Sequence, residues 1–196
     1  MDAFDTIKES ITNDSSNAHL RAEGWSPLYA AAASARIAVI GQAPGRKAQA
    51  SGVPWNDASG RSLVDWLGVR EEQFRNPALF AQLPMDFYFP GTGTSGDLPP
   101  RKEFAARWHP PLLELMPDIR LTLLIGRYAQ SYYLPQSRRA TLTATVHNYE
   151  SFLPGQFPLV HPSPLNFRWQ AKNPWFLTDV LPHLKALVRI ALEPDA

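Results

Sequence analysis

Three short aliphatic runs, each halted at a glycine or a proline-fixed loop, constrain the fold of this chain more than any other feature. Ile37-Ala38-Val39-Ile40 stops at Gly41-Gln42-Ala43-Pro44-Gly45. Leu121–Ile125 stops at Gly126, and Phe157-Pro158-Leu159-Val160 stops at His161-Pro162-Ser163-Pro164-Leu165-Asn166. Apolar runs of four or five residues bounded by turn formers read as buried strands. Stretches with helical spacing separate them. Strands alternating with helices predict an α/β fold: a three-layer sandwich whose short, mostly parallel four-stranded sheet is flanked by helices.

Phe87-Tyr88-Phe89, stopped by Pro90-Gly91, reads as the remaining strand of that sheet. Residues 3–35 read as an alanine-rich helical extension with a break near Gly24-Trp25-Ser26-Pro27. A helix is expected from Ser59 or Gly60 through Leu67, with Leu63, Trp66 and Leu67 on one face. The glycine- and proline-rich stretch 91–100 is loop. Residues 101–115 read as a helix disturbed at Pro110-Pro111. Residues 127–134 form a short helix, and 135–156 are irregular with a strand expected around 142–146. Asn173-Pro174 has the form of an N-cap followed by proline at the first helical position. The helix beyond carries Leu177, Val180, Leu181, Leu184, Leu187 and Val188 at helical spacing, and Pro182 should bend or break it.

At 196 residues and 44% hydrophobic content the chain suits one domain with a proper core, residues 1–196 taken together. A net charge of +1 gives no global pull toward nucleic acid, so a DNA partner needs local basic surface. Arg46-Lys47, Arg101-Lys102, Arg138-Arg139 and Arg168 are the candidates; each equally reads as solvated surface. The absence of cysteine excludes disulfides, thiolate metal sites and a cysteine-held iron–sulfur cluster. His109, His147, His161 and His183 show no metal-ligand spacing. Phosphate-loop, dinucleotide and nucleophile-elbow motifs are missing as well. No cofactor and no metal are expected. Asp2 and Asp5, with no apolar core segment near them, argue against a secretion signal, and no apolar run is long enough to span a bilayer. A cytoplasmic monomer without a membrane partner is the expectation.

In open α/β sheets, ligands bind at the carboxyl ends of the strands. The loops after residues 40 and 160 both occupy such ends, so Gly41, Gln42, Ala43 and His161 are expected to share one cleft. The pair of loops also resembles the first and last active-site motifs of the uracil-DNA glycosylase superfamily, over most of the chain. The resemblance implies a monofunctional glycosylase that hydrolyses the N-glycosidic bond of uracil or another deaminated or damaged base in DNA. The cysteine-free composition points to a branch without a cluster.

On that resemblance His161 donates a hydrogen bond to the leaving base, the alternative being a histidine that only caps the strand. Ser163 contacts a phosphate, and Leu165 wedges into the vacated stack unless it folds into the core. Asn166 and Arg168 follow at the rim. Relatives carry a carboxylate at position two or three of the first motif; here those positions are Gln42 and Ala43. Gln42 can still orient water through its amide oxygen, and the backbones of Gly41, Gln42 and Ala43 can bind the base edge.

The segment Gly52-Val53-Pro54-Trp55-Asn56-Asp57-Ala58-Ser59-Gly60 resembles the superfamily's Gly-x-Pro-Phe segment, placing Trp55 as the residue that stacks on the base. In the same segment Asp57, with Ser59-Gly60, fits an Asp-x-Ser-Gly pattern. Two roles are open to Asp57: general base or stabiliser of the cationic sugar, and N-cap of the next helix. Relatives read uracil with an asparagine after the second strand. Its absence leaves Tyr88 or the backbone for that task and opens the range of bases. The competing functional reading keeps the fold but not the catalysis, as a nucleobase- or nucleic-acid-binding member. A small-molecule hydrolase on the same fold is a third.

Overall fold

The computed structural model describes residues 2–94 and 96–194. Helix α1 (Ala3–Asn13) starts at a capping box in which Asp2 and Asp5 bond each other's backbone N–H. After α2 (Ala18–Ala22) the chain is extended, and Ala30 bridges Gln82. The helical reading of residues 3–35 therefore holds only as far as Ala22. Gly24, with φ +79°, and the Ser26-Pro27 step turn the chain out of the helix.

Strand β1 (Ile37–Ile40) is buried along its length. Helices α3 (Arg46–Ser51), α4 (Ala58–Leu67) and α5 (Glu71–Arg75) precede β2 (Phe80–Gln82). A two-stranded hairpin, β3 (Thr92–Gly93) and β4 (Gly96–Asp97), then leads to α6 (Phe104–Glu114). This helix runs through Pro110 and Pro111. The rest alternates β5 (Leu121–Ile125), α7 (Gly126–Tyr133), α8 (Leu142–His147), β6 (Gln156–Leu159) and α9 (Phe167–Lys172), ending in α10 (Leu181–Leu192).

The four sheet strands lie in the order β2-β1-β5-β6, every neighbouring pair parallel. Side chains alternate between faces. Ile37, Val39, Leu123, Phe157 and Leu159 pack under α4 and α10, while Ile40 and Leu124 face Ala129 and Leu134 on the opposite side. A further apolar cluster joins α1, α6 and the segment after β2. These layers make a three-layer α/β sandwich. The chain leaves β1 toward β2 and returns past it to β5, so the strand order reverses between β1 and β5. The carboxyl ends open into a crevice there.

Two expected strands are not strands. Phe87-Tyr88-Phe89 is buried but irregular, and β2 lies earlier. Two of its donors are taken by side chains instead of a neighbouring strand: Asp86 accepts from the Tyr88 N–H at 3.1 Å, and Gln49 from the Phe89 N–H at 2.9 Å. Residues 142–146 are helical because Thr141 caps the first turn, its hydroxyl accepting from the Ala144 N–H at 3.1 Å. Pro182 acts through a widened π turn over Phe176–Val180, after which α10 begins. Leu177 faces solvent instead of the core.

Candidate active site

A cavity of about 490 Å³ opens at the carboxyl ends of the sheet. The loop after β1 gives it a floor: Gly41, Gln42, Ala43, Pro44 and Gly45 all line it. That loop is pinned edge-on to the chain after β2. The Gly41 carbonyl accepts from the Met85 N–H at 2.8 Å, and the Gln42 carbonyl from the Asp86 N–H at 3.2 Å. The Gln42 side-chain amide donates to the Leu98 carbonyl at 3.0 Å, tying the floor to the β3–β4 hairpin.

Trp55 forms one wall. Among the described residues it is the only non-glycine with a left-handed backbone, φ +57°. That conformation is strained for a bulky residue, and three features hold it. Arg75 donates to the carbonyls of Pro54 and Trp55, the latter at 3.3 Å. The Asp57 N–H also bonds the Trp55 carbonyl, at 2.9 Å. The indole lies against the bare α-carbon of Gly41, where a β-carbon would stand 2.9 Å from Cζ2.

His161 lines the same cavity beside Trp55, the ring centroids 6.0 Å apart and the planes tilted by 31°. Its loop is braced from within: Asn166 donates to the His161 carbonyl at 2.6 Å, and the Ser163 hydroxyl accepts from the Leu165 N–H at 3.2 Å. Burial pushes the imidazole below its ordinary pKa of 6.5, against the opposing pull of Asp57 and Asp97. His161 is therefore neutral at pH 7 and carries one N–H to donate.

The two oxygens of Asp57 have different surroundings. Oδ1 caps α4 by accepting from the Gly60 N–H at 2.8 Å. Oδ2 lies 3.8 Å from the point where a β-carbon at Gly45 would stand, on the cavity floor. The site also includes Asp97 of β4, which the sequence reading passed over. A signal was available: Asp97 is the sole charged residue between Phe87 and Pro100. The buttressing Arg75 carried no such signal.

Leu165 is 82% exposed at the cavity rim and Phe167 is 60% exposed beside it, with the Arg168 guanidinium over the Phe167 ring at 5.6 Å. Leu165 thus stands out from the fold instead of entering the core. Tyr88 does not reach the cavity. It is buried in the cluster with Phe104 and Ile11 and is absent from the lining. Asn166 spends its amide on the His161 loop. Arg101, a candidate phosphate contact by sequence, is committed to Asp86 through bonds of 2.6 and 2.7 Å, and to Asn17.

Among the described residues no group of three or more His, Cys, Asp or Glu side chains is placed to hold a metal ion. No helix among them is long and apolar enough to cross a membrane.

The family model described as the uracil DNA glycosylase superfamily matches residues 28–185, which takes in the floor loop, Trp55, Asp57, the hairpin and the His161 loop. A parallel four-stranded sheet with a tryptophan wall and a histidine loop at its carboxyl edge agrees with that match, and the chain belongs to the uracil DNA glycosylase superfamily.

Proposed function

We propose that the protein is a monofunctional DNA glycosylase that removes uracil or another deaminated base by hydrolysis. The observation that carries this reading is the pair of rings, Trp55 and His161, lining one cavity with room for a nucleobase and with carboxylates beside them. A target base cannot react inside the duplex and must be flipped out. Flipped into this cavity, it stacks on the Trp55 indole, worth about 1–3 kcal/mol. Backbone groups of the floor loop face its edge.

As the C1′–N bond breaks, its electron pair leaves with the base and the sugar becomes cationic. The neutral His161 donates its N–H to a carbonyl oxygen of the departing base, where the negative charge collects. The Asp57 carboxylate offsets the positive charge on the sugar. The amide oxygen of Gln42 orients the water that adds to C1′. Leu165, standing free at the rim, fills the gap in the stack.

The test is abasic-site formation on oligonucleotides containing uracil or hypoxanthine, single- and double-stranded. His161→Ala should lower the rate by about 10²–10³. A wild-type protein inert across such a panel defeats this reading. One observation favours a binding-only member: the Gln42 amide is tethered to Leu98, in a motif that holds no carboxylate. If the wild type is inert and Gln42→Glu creates activity, that second reading stands; if Asp57→Asn abolishes an existing activity, the enzyme reading stands.

A further inference from the structure

Resting on the excision reading, we propose that Asp97 is the catalytic residue that takes the proton from the attacking water, leaving Asp57 as the fixed charge beside the sugar. Water adds through its oxygen lone pair to C1′, one of its protons passes to the Asp97 carboxylate, and the electrons of the broken bond leave with the base. That base later picks up a proton from solvent, and Asp97 returns its own to solvent.

Three relationships carry the assignment. The first is convergence. The outer oxygens of Asp57 and Asp97 lie 3.8 and 4.0 Å from one point, the place a β-carbon would occupy at Gly45. Two carboxylates from distant parts of the chain therefore flank the same stretch of floor. A β-carbon at position 45 would be in van der Waals contact with both.

The second is division of labour. Asp57 gives one oxygen to the Gly60 N–H and stands at the first turn of α4, where negative charge is favoured. It suits a standing charge. No described residue donates a hydrogen bond to the Asp97 side chain, and Asp97 is exposed to water. A proton acceptor needs a free lone pair and a supply of water.

The third is linkage to the water-orienting residue. The Leu98 N–H bonds the Gly91 carbonyl at 2.9 Å, closing the hairpin, and the neighbouring Leu98 carbonyl holds the Gln42 amide. Gln42 and Asp97 are thereby held one residue apart along a single hydrogen-bonded bridge. Water set by the Gln42 amide oxygen is presented to a carboxylate on the same clasp.

Single-turnover excision and binding to an oligonucleotide bearing a tetrahydrofuran abasic analogue are to be measured for wild type, Asp97→Asn and Asp97→Glu. The expected result is a fall in the excision rate of about 10²-fold or more for Asp97→Asn, with analogue binding kept and Asp97→Glu recovering part of the rate. An active wild type with Asp97→Asn within about threefold of it overturns the assignment and leaves the excision reading intact. So does parallel loss of rate and of analogue binding. An inert wild type overturns both.

Discussion

Gly60 stands against the backbone of Trp55 so closely that a β-carbon at position 60 would lie 1.8 Å from the Trp55 carbonyl oxygen. This contact allows the first turn of α4 to sit under the left-handed residue that presents the indole. Gly60→Ala must therefore move either the helix start or the Trp55 backbone. The expected loss is about 1–3 kcal/mol or more, a fall in Tm of roughly 3–10 °C, together with weaker binding of damaged DNA. Calorimetry on the variant checks it. An unchanged Tm would contradict the packing described.

Arg75 reaches the same turn from the other side. Its guanidinium bonds the carbonyls of Pro54 and Trp55 while pairing with Glu71 at 3.3 Å. Arg75→Met keeps the stem and removes the donors. Hydrogen bonds from a charged group contribute about 1.5–3 kcal/mol, so the Kd for a uracil-containing oligonucleotide should rise by roughly tenfold or more. Arg75→Lys should restore only part, because an ammonium cannot fork between two carbonyls. Fluorescence anisotropy with labelled DNA gives the comparison.

The neutral state of His161 has a direct readout. Its titration, followed by NMR of the ring protons, should fall below the ordinary value of 6.5. Asp57 and Asp97 both favour the imidazolium, so removing either charge should lower the midpoint further. An unchanged midpoint in Asp57→Asn or Asp97→Asn would show that these carboxylates do not act on the ring. The excision rate should stay level from about pH 8 to about pH 7, where a donor that titrates below its ordinary value stays mainly neutral.

His109, outside the cavity, should make stability depend on pH. Its Nε2–H donates to the Pro84 carbonyl at 3.0 Å and Nδ1 accepts from the Tyr133 hydroxyl at 2.6 Å. Burial lowers its pKa to about 4. Between pH 6.5 and about pH 4 the unfolded chain binds a proton that the native state refuses. The stabilisation is complete above pH 6.5 and is lost as pH falls toward 4, by about 3 kcal/mol in total. Urea unfolding at pH 7 and pH 4.5 should show that loss in the wild type and a smaller one in His109→Gln. Equal losses would mean that His109 is not buried in its neutral form.

The elements legible in the sequence are those whose signals are local. β1, β5 and β6 are short aliphatic runs with a stop at each carboxyl end. Asp57 before Ala58 and Gly68 after Leu67 bracket α4 as cap residues do. β2 was missed because Phe80-Ala81-Gln82 is brief and ends in a polar residue, while the aromatic triplet at 87–89 carries the stronger strand propensity. Two of the triplet's donors found Asp86 and Gln49 instead of a neighbouring strand. α8 was missed for a related reason: Thr143, Thr145 and Val146 favour a strand, but the Thr141 cap decided the outcome.

The amino-acid sequence by itself determined where strands end, which loops proline stiffens, and that an imidazole, an indole and a carboxylate lie in segments at or near those ends. Tertiary structure alone decided which groups meet: Asp97 enters the cavity through a clasp from Leu98 to Gln42, Tyr88 turns into the core, and Asp57 divides its two oxygens between a helix and the floor. The reason is one of range. Periodicity and capping report on neighbours within a turn or two of chain, whereas a cleft is built from contacts between segments far apart in sequence, which no local window contains.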